Sequence, residues 1–209
     1  MSNKYNFIFF CNGRTGTTSL EMVLSKYHDN NKLLRQVWHD SEFVNNVPQR
    51  ILKHCPPYIV KNILKERYQD YFSFVYARNP YDWLISQIFY NFHDAKEVFS
   101  MLDSKILSQA IQLLSKFRCF KEDETLFQYQ YLIDKDGRRI VDYVGHFETF
   151  DEDWKAICTK IGIPYIKLLV VHKIKKKHYK EYYPNKQILN LVYNYYKKDF
   201  DYFGYEKEL

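Results

Sequence analysis

Two glycines three residues apart frame an arginine in Gly13-Arg14-Thr15-Gly16, and three more hydroxyl residues, Thr17, Thr18 and Ser19, follow directly. The chain has only six glycines in 209 residues, so two in one short loop mark a place where the backbone turns tightly or lets something approach closely. An apolar run, Phe7 to Phe10, precedes the loop. Leu20, Val23, Leu24 and Tyr27 recur after it at helical spacing, which predicts a strand, a tight loop and a helix opening near Thr17 or Thr18. The outward N–H groups at such a helix start, with about half a positive charge from the helix dipole, make an anion site. The hydroxyls add donors, and Arg14 adds a planar fork matched to phosphate or sulfate. The pattern is not G-x-x-x-x-G-K-[ST]. Thr17 stands where the lysine would, and Gly13 lies three residues before Gly16 rather than five, which disfavours a triphosphate–Mg²⁺ site. An ordinary strand-to-helix turn, with threonines as caps, would use the same residue types.

A second unit of this kind follows. Phe72, Phe74 and Val75 predict a strand. Asn79 and Pro80 then suit the N-cap and first position of a helix that runs through Trp83, Leu84, Ile88 and Phe89. Arg78 falls at the strand's end and Ser86 two turns into the helix, a second pairing of guanidinium and hydroxyl suited to an anion. Neighbouring parallel strands present their C-terminal ends on one edge of a sheet, where ligands of α/β proteins bind.

The remaining elements must support these two loops. Residues Asp94 to Lys116 have helical periodicity, read as two helices. Phe127 to Ile133 and Arg139 to Val144 flank Asp136-Gly137, a hairpin signal. Asp151 to Ile161 reads as a helix closed by Gly162, Ile166 to Val171 as a buried strand, and Asn185 to Phe200 as a last helix. The expected architecture is α/β: a mostly parallel central sheet flanked by helices, with a β-hairpin insertion, in a single domain over residues 1–209.

Composition narrows the classes. With 46% hydrophobic and 27% charged residues, the chain can bury a core, which excludes a disordered chain. A formal charge of +6 favours anionic partners. Cys11, Cys55, Cys119 and Cys158 show no paired spacing for zinc or redox chemistry and read as reduced thiols. No apolar run is long enough for a signal-peptide core or a membrane span, so a soluble, unprocessed, cytoplasmic protein is expected. No nucleic-acid motif is present.

The loop G-R-T-G-T-T-S together with R-N-P-Y-D-W-L-I-S resembles the two cofactor motifs of the PAPS-dependent sulfotransferases. The stretches DYVGHFETFDEDWKAICTKIGI and YYPNKQILNLVYNYYKKDFDYFGY are similar to the C-terminal half of compact, carbohydrate-type members, so the resemblance spans most of Phe7 to Tyr205. It implies a P-loop-like three-layer sandwich that uses 3'-phosphoadenosine 5'-phosphosulfate (PAPS) and no metal. Carried over, Gly13, Arg14, Thr15, Gly16, Thr17, Thr18 and Ser19 would wrap the 5'-phosphosulfate, and Arg78 with Ser86 would hold the 3'-phosphate. Arg14, where many members carry lysine, would stabilise charge on the bridging oxygen as the sulfuryl group leaves. His146 stands where similar sequences often have arginine.

Transfer to a hydroxyl also needs a base for the acceptor's proton. His54 is the first choice, since compact members have a histidine at the start of the corresponding helix; His39, beside Asp40, is second. The acceptor implied is a glycan or glycolipid, with small alcohols and peptidyl tyrosine open. The lysine run Lys173, Lys175, Lys176, Lys177 and Lys180 suits the 3'-phosphate region, an acidic glycan or a solvated face. Two other functions fit the same pockets: a nucleotide-dependent kinase of P-loop-like fold, and a catalytically inactive adaptor that binds anions or glycans.

Overall fold

A computed structural model of the chain describes residues 1–28, 54–91, 105–109, 111, 127–169, 177–183 and 185–207. These fall into two compact units, one formed by Met1–Ala77 with Gln130–Val171 and the other by Arg78–Tyr129 with His172–Leu209.

The first unit is built on a parallel sheet. Strands β1 (Phe7–Phe10), β2 (Phe72–Ala77) and β3 (Tyr143–His146) lie in the order β1-β2-β3, with Phe7 opposite Phe72 and Phe74 opposite Tyr143. Among the described residues β2 is central, and its last five residues are all buried, as a run of apolar residues covered on both faces should be. Helices α1 (Thr17–Leu24) and α2 (Pro57–Leu64) belong to this unit, as does α3 (Phe150–Ile161). The core gathers Phe7, Leu20, Phe74, Tyr76, Trp154 and Ile157, each at most 1% exposed. Asp151, Glu152 and Asp153 occupy the first turn of α3, where the helix dipole favours acidic groups, and Gly162, left-handed at φ 72°, ends it as the sequence predicts.

Two expectations are corrected here. Asp134 to Arg138 does turn, with Asp134 accepting the N–H groups of Asp136 and Arg138, but the arms meet only at an isolated antiparallel bridge, Ile133 to Arg139. Gln128–Tyr131 is a 3₁₀ turn, and Tyr143–His146 leaves the hairpin to become the third parallel strand. The described part of the predicted strand Ile166 to Val171 is irregular, with Ile166 37% and Leu169 73% exposed. It is tied down instead by the Trp154 indole N–H, which donates to the Ile166 carbonyl at 2.9 Å.

Gly145 in β3 has a steric reason. It pairs with Tyr76, and a Cβ there would lie 2.7 Å from two atoms of the Tyr76 ring. That ring is fully buried, 4.8 Å from the Phe150 ring. Overpacking a fixed ring in a dense core costs about 1–3 kcal/mol. Gly145→Ala should therefore lower the melting temperature by about 2–12 °C in a calorimetric scan.

The second unit is helical in its described part. Helix α4 (Pro80–Asn91) opens as the sequence predicts, with the Asn79 side chain accepting the Tyr81 N–H at 3.0 Å. The predicted helix Asn185 to Phe200 is two: α5 (Lys186–Tyr195) and α6 (Lys197–Phe203), separated by a bend at Tyr196. Tyr81, Leu84, Ile85 and Ile88 pack with Val192, Tyr196 and Phe200. Much of the tyrosine load serves this core: Tyr183 donates to the Tyr81 carbonyl at 2.7 Å, and the Tyr81 ring meets Phe200 edge-on. Most of the predicted helical stretch Asp94 to Lys116 lies outside the described residues; residues 105–109 are helical, and Leu107 and Ile111 are buried. No described helix is long and apolar enough to cross a membrane.

Candidate functional site

The loop from Cys11 to Gly16 is shaped by its own polar side chains. The buried Asn12 amide donates to the Tyr76 carbonyl at 3.0 Å and fastens the end of β1 to β2. Thr15, fully buried, donates its hydroxyl to the Asn12 carbonyl at 2.7 Å, so this threonine braces the loop. Two residues are left-handed, Arg14 at φ 65° and Gly16 at φ 80°. At Gly16 glycine is also required for space, because a Cβ would lie 2.6 Å from the Phe150 ring. Gly13 is not among the positive-φ glycines, and a Cβ there would make only an ordinary 3.9 Å contact with His54. Arg14 therefore carries backbone strain of about 1–3 kcal/mol, a burden that proteins concentrate at functional loops.

Helix α1 starts from Gly16 with no side-chain cap. The N–H groups of Ser19 and Leu20 turn back to the Gly16 carbonyl at 3.1 and 3.3 Å, which leaves those of Thr17 and Thr18 at the helix start, the kind of position that can accept an anion. Thr17 and Ser19 are buried beneath that start, each 7% exposed, while Thr18 and Arg14 are half-buried.

His54 sits beside this loop although 43 residues separate it from Cys11. Its Nδ1 is 2.7 Å from the Cys11 carbonyl oxygen. A carbonyl can only accept, so Nδ1 carries a proton and, in the neutral ring, Nε2 keeps the basic lone pair. The Tyr131 hydroxyl donates to the His54 carbonyl at 2.8 Å and holds the backbone from the other side. The ring precedes α2, whose N-cap is Pro56. His39 lies outside the described residues, as do Lys173, Lys175 and Lys176; Lys177 and Lys180 are exposed.

Two of the described thiols are held in the protonated form, and Cys119 lies outside the described residues. Burial pushes Cys55 up to about 12 and Cys158 up to about 11, so both stay protonated at neutral pH. Cys11 instead points its thiol at Glu21, 3.4 Å away. His146, in β3, donates its backbone N–H to Asp153 at 2.8 Å. Among the described residues no group of three His, Cys, Asp or Glu side chains could hold a metal ion.

In the second unit Arg78 is buried, 7% exposed, and donates from Nε and Nη2 to one oxygen of Asp82 at 2.8 and 2.6 Å. Asp82 takes two of the five guanidinium N–H groups, so an anion at Arg78 would share the fork. Ser86, 2% exposed, lies one helical turn beyond Asp82 on the same face of α4.

Sequence reasoning missed a buried polar chain behind Arg78. The Gln128 side chain accepts the Arg78 N–H at 2.9 Å and donates to the Arg78 carbonyl at 2.8 Å. The backbone N–H groups of Gln128 and Tyr129 donate to the two oxygens of Asp199, at 3.3 and 2.8 Å. Burial raises Asp199 to about 7, against the pull of those two N–H groups, which favour the carboxylate. The helix Lys197–Phe203 carries both Asp199 and Asp201, and its sequence does not mark Asp199 as the buried one.

No protein-family model, no curated protein and no solved structure matches the chain.

Proposed function

We propose that the chain is a PAPS-dependent sulfotransferase of P-loop-like three-layer fold, which moves a sulfuryl group to a hydroxyl acceptor, most suitably a carbohydrate. The observation that supports this reading best is the seating of His54 against the glycine–arginine loop, through the 2.7 Å contact with Cys11. That contact seats an imidazole beside the loop that leads into α1, and a base beside an anion-binding helix start is the pairing that transfer from an anionic donor to a hydroxyl needs.

PAPS supplies an already activated sulfuryl group. The chain's own residues then divide the work. The α1 N-terminus and Arg14 take the phosphosulfate, and Arg78 with Ser86 takes the 3'-phosphate. His54 Nε2 accepts the acceptor's proton as the new O–S bond forms and the bond to the bridging oxygen breaks, releasing adenosine 3',5'-bisphosphate. Arg14 faces the negative charge that collects on that oxygen.

Calorimetric titration tests the reading. Adenosine 3',5'-bisphosphate should bind without divalent metal, with a dissociation constant on the order of 1 µM, and ATP–Mg²⁺ should bind far more weakly. The reverse preference would instead support a kinase. Binding of the bisphosphate without transfer of labelled sulfate to any glycan or other hydroxyl acceptor would leave an anion-binding adaptor.

A further inference from the structure

Arg78 is the first residue after β2 and precedes the N-cap of α4, so its main chain belongs to neither element. Buried main-chain groups at such a corner need partners from elsewhere. Gln128 supplies both, since its amide meets the Arg78 N–H and C=O with an acceptor and a donor at once. A carboxamide offers that pair in one plane whatever the pH. The amide is itself anchored, because Asp199 takes the N–H groups of residues 128 and 129 on its two oxygens. Gln128 and Asp199 are both fully buried, which makes each bond expensive to lose.

We propose that Gln128 and Asp199 are positioning residues for Arg78: the Asp199 carboxylate holds the Gln128 backbone, and the Gln128 amide fixes where the Arg78 guanidinium is presented. The proposal rests on the reading that Arg78 takes the 3'-phosphate. It adds that the selectivity of the site for a 3'-phosphorylated nucleotide is set by a carboxamide and a carboxylate that need not touch the ligand. Asp82 orients the tip of Arg78 and Gln128 orients its root, so the side chain is constrained at both ends.

The experiment compares two nucleotides on two variants of the full chain. Gln128→Met keeps volume and removes both bonds; Asp199→Asn keeps shape and offers one acceptor where two donors point. Each should weaken adenosine 3',5'-bisphosphate by about tenfold and leave adenosine 5'-monophosphate, which lacks the 3'-phosphate, within about twofold. The Arg78 amide should exchange its hydrogen faster in both. A general loss of structure would weaken the two nucleotides alike, and that outcome, or an unchanged ratio with a protected Arg78 amide, overturns the proposal. If the unaltered chain binds neither nucleotide, the 3'-phosphate reading fails, and the Arg78 exchange rate alone decides whether the clamp exists. If neither variant folds, exchange in the unaltered chain decides. Arg78, Gln128 and Tyr129 amides protected as one set support the clamp, and a rapidly exchanging Arg78 amide refutes it.

Discussion

Replacing His54 with alanine should slow sulfuryl transfer by about 10²–10⁴-fold while leaving the affinity for adenosine 3',5'-bisphosphate within about twofold. The expectation rests on the tautomer. With the Nδ1 proton committed to the Cys11 carbonyl, Nε2 is the nitrogen that can take a proton from a hydroxyl. Alanine removes the base and one bond to a strand end. His54→Asn is the useful companion, because its side-chain N–H can still approach a carbonyl while it offers no base. Single-turnover transfer of labelled sulfate, alongside calorimetry for the product nucleotide, separates the two effects. Transfer at the unaltered rate in either variant would remove His54 from the mechanism and leave it as a brace for the loop.

Arg14→Ala should depress transfer by about 10²–10³-fold and weaken the desulfated product by less than about tenfold. On the proposed reading, the product's phosphate keeps the N–H groups of the α1 start when Arg14 is lost, whereas the charge that develops on the bridging oxygen during transfer loses the group aimed at it. Backbone strain does not confound this comparison. Alanine at φ 65° has the same Cβ as arginine, so the loop's cost is nearly unchanged while the guanidinium is lost. Arg14→Lys should recover part of the rate as a point charge without the planar fork. Equal losses in transfer and product affinity would reduce Arg14 to a ground-state phosphate ligand.

The sequence disclosed the elements whose signals are local. The apolar runs of β1 and β2, the Asn79-Pro80 opening of α4 and the Gly162 stop of α3 each follow from neighbouring residues. Strand β3 was hidden for a physical reason. A parallel strand pairs with a distant partner, whereas Asp136-Gly137 announces a nearby hairpin, and Tyr-Val-Gly-His lacks the apolar run of a buried strand. Ile166 to Val171 failed the other way, since an apolar run can be held by one Trp154 bond without joining a sheet. At the site, the loop and helix start were legible, and so was Gly16. The seating of His54 beside Gly13 depends on folding that no spacing encodes; only the family resemblance pointed to that histidine. The commitments of Arg78 to Asp82 and Gln128 were likewise invisible, although Arg78 and Asp82 stand at a spacing that places them together.

The Phe150 ring fills the space beside Gly16, the Tyr76 ring fills the space beside Gly145, and the two rings touch. The four positions therefore form one steric chain running from the anion loop to the third strand. Enlarging either glycine presses on a ring, and shrinking a ring to make room opens a cavity in the core. Changes at 16, 76, 145 and 150 are thus coupled through contact, and Tyr76, Gly145 and Phe150 restrain the loop by packing alone.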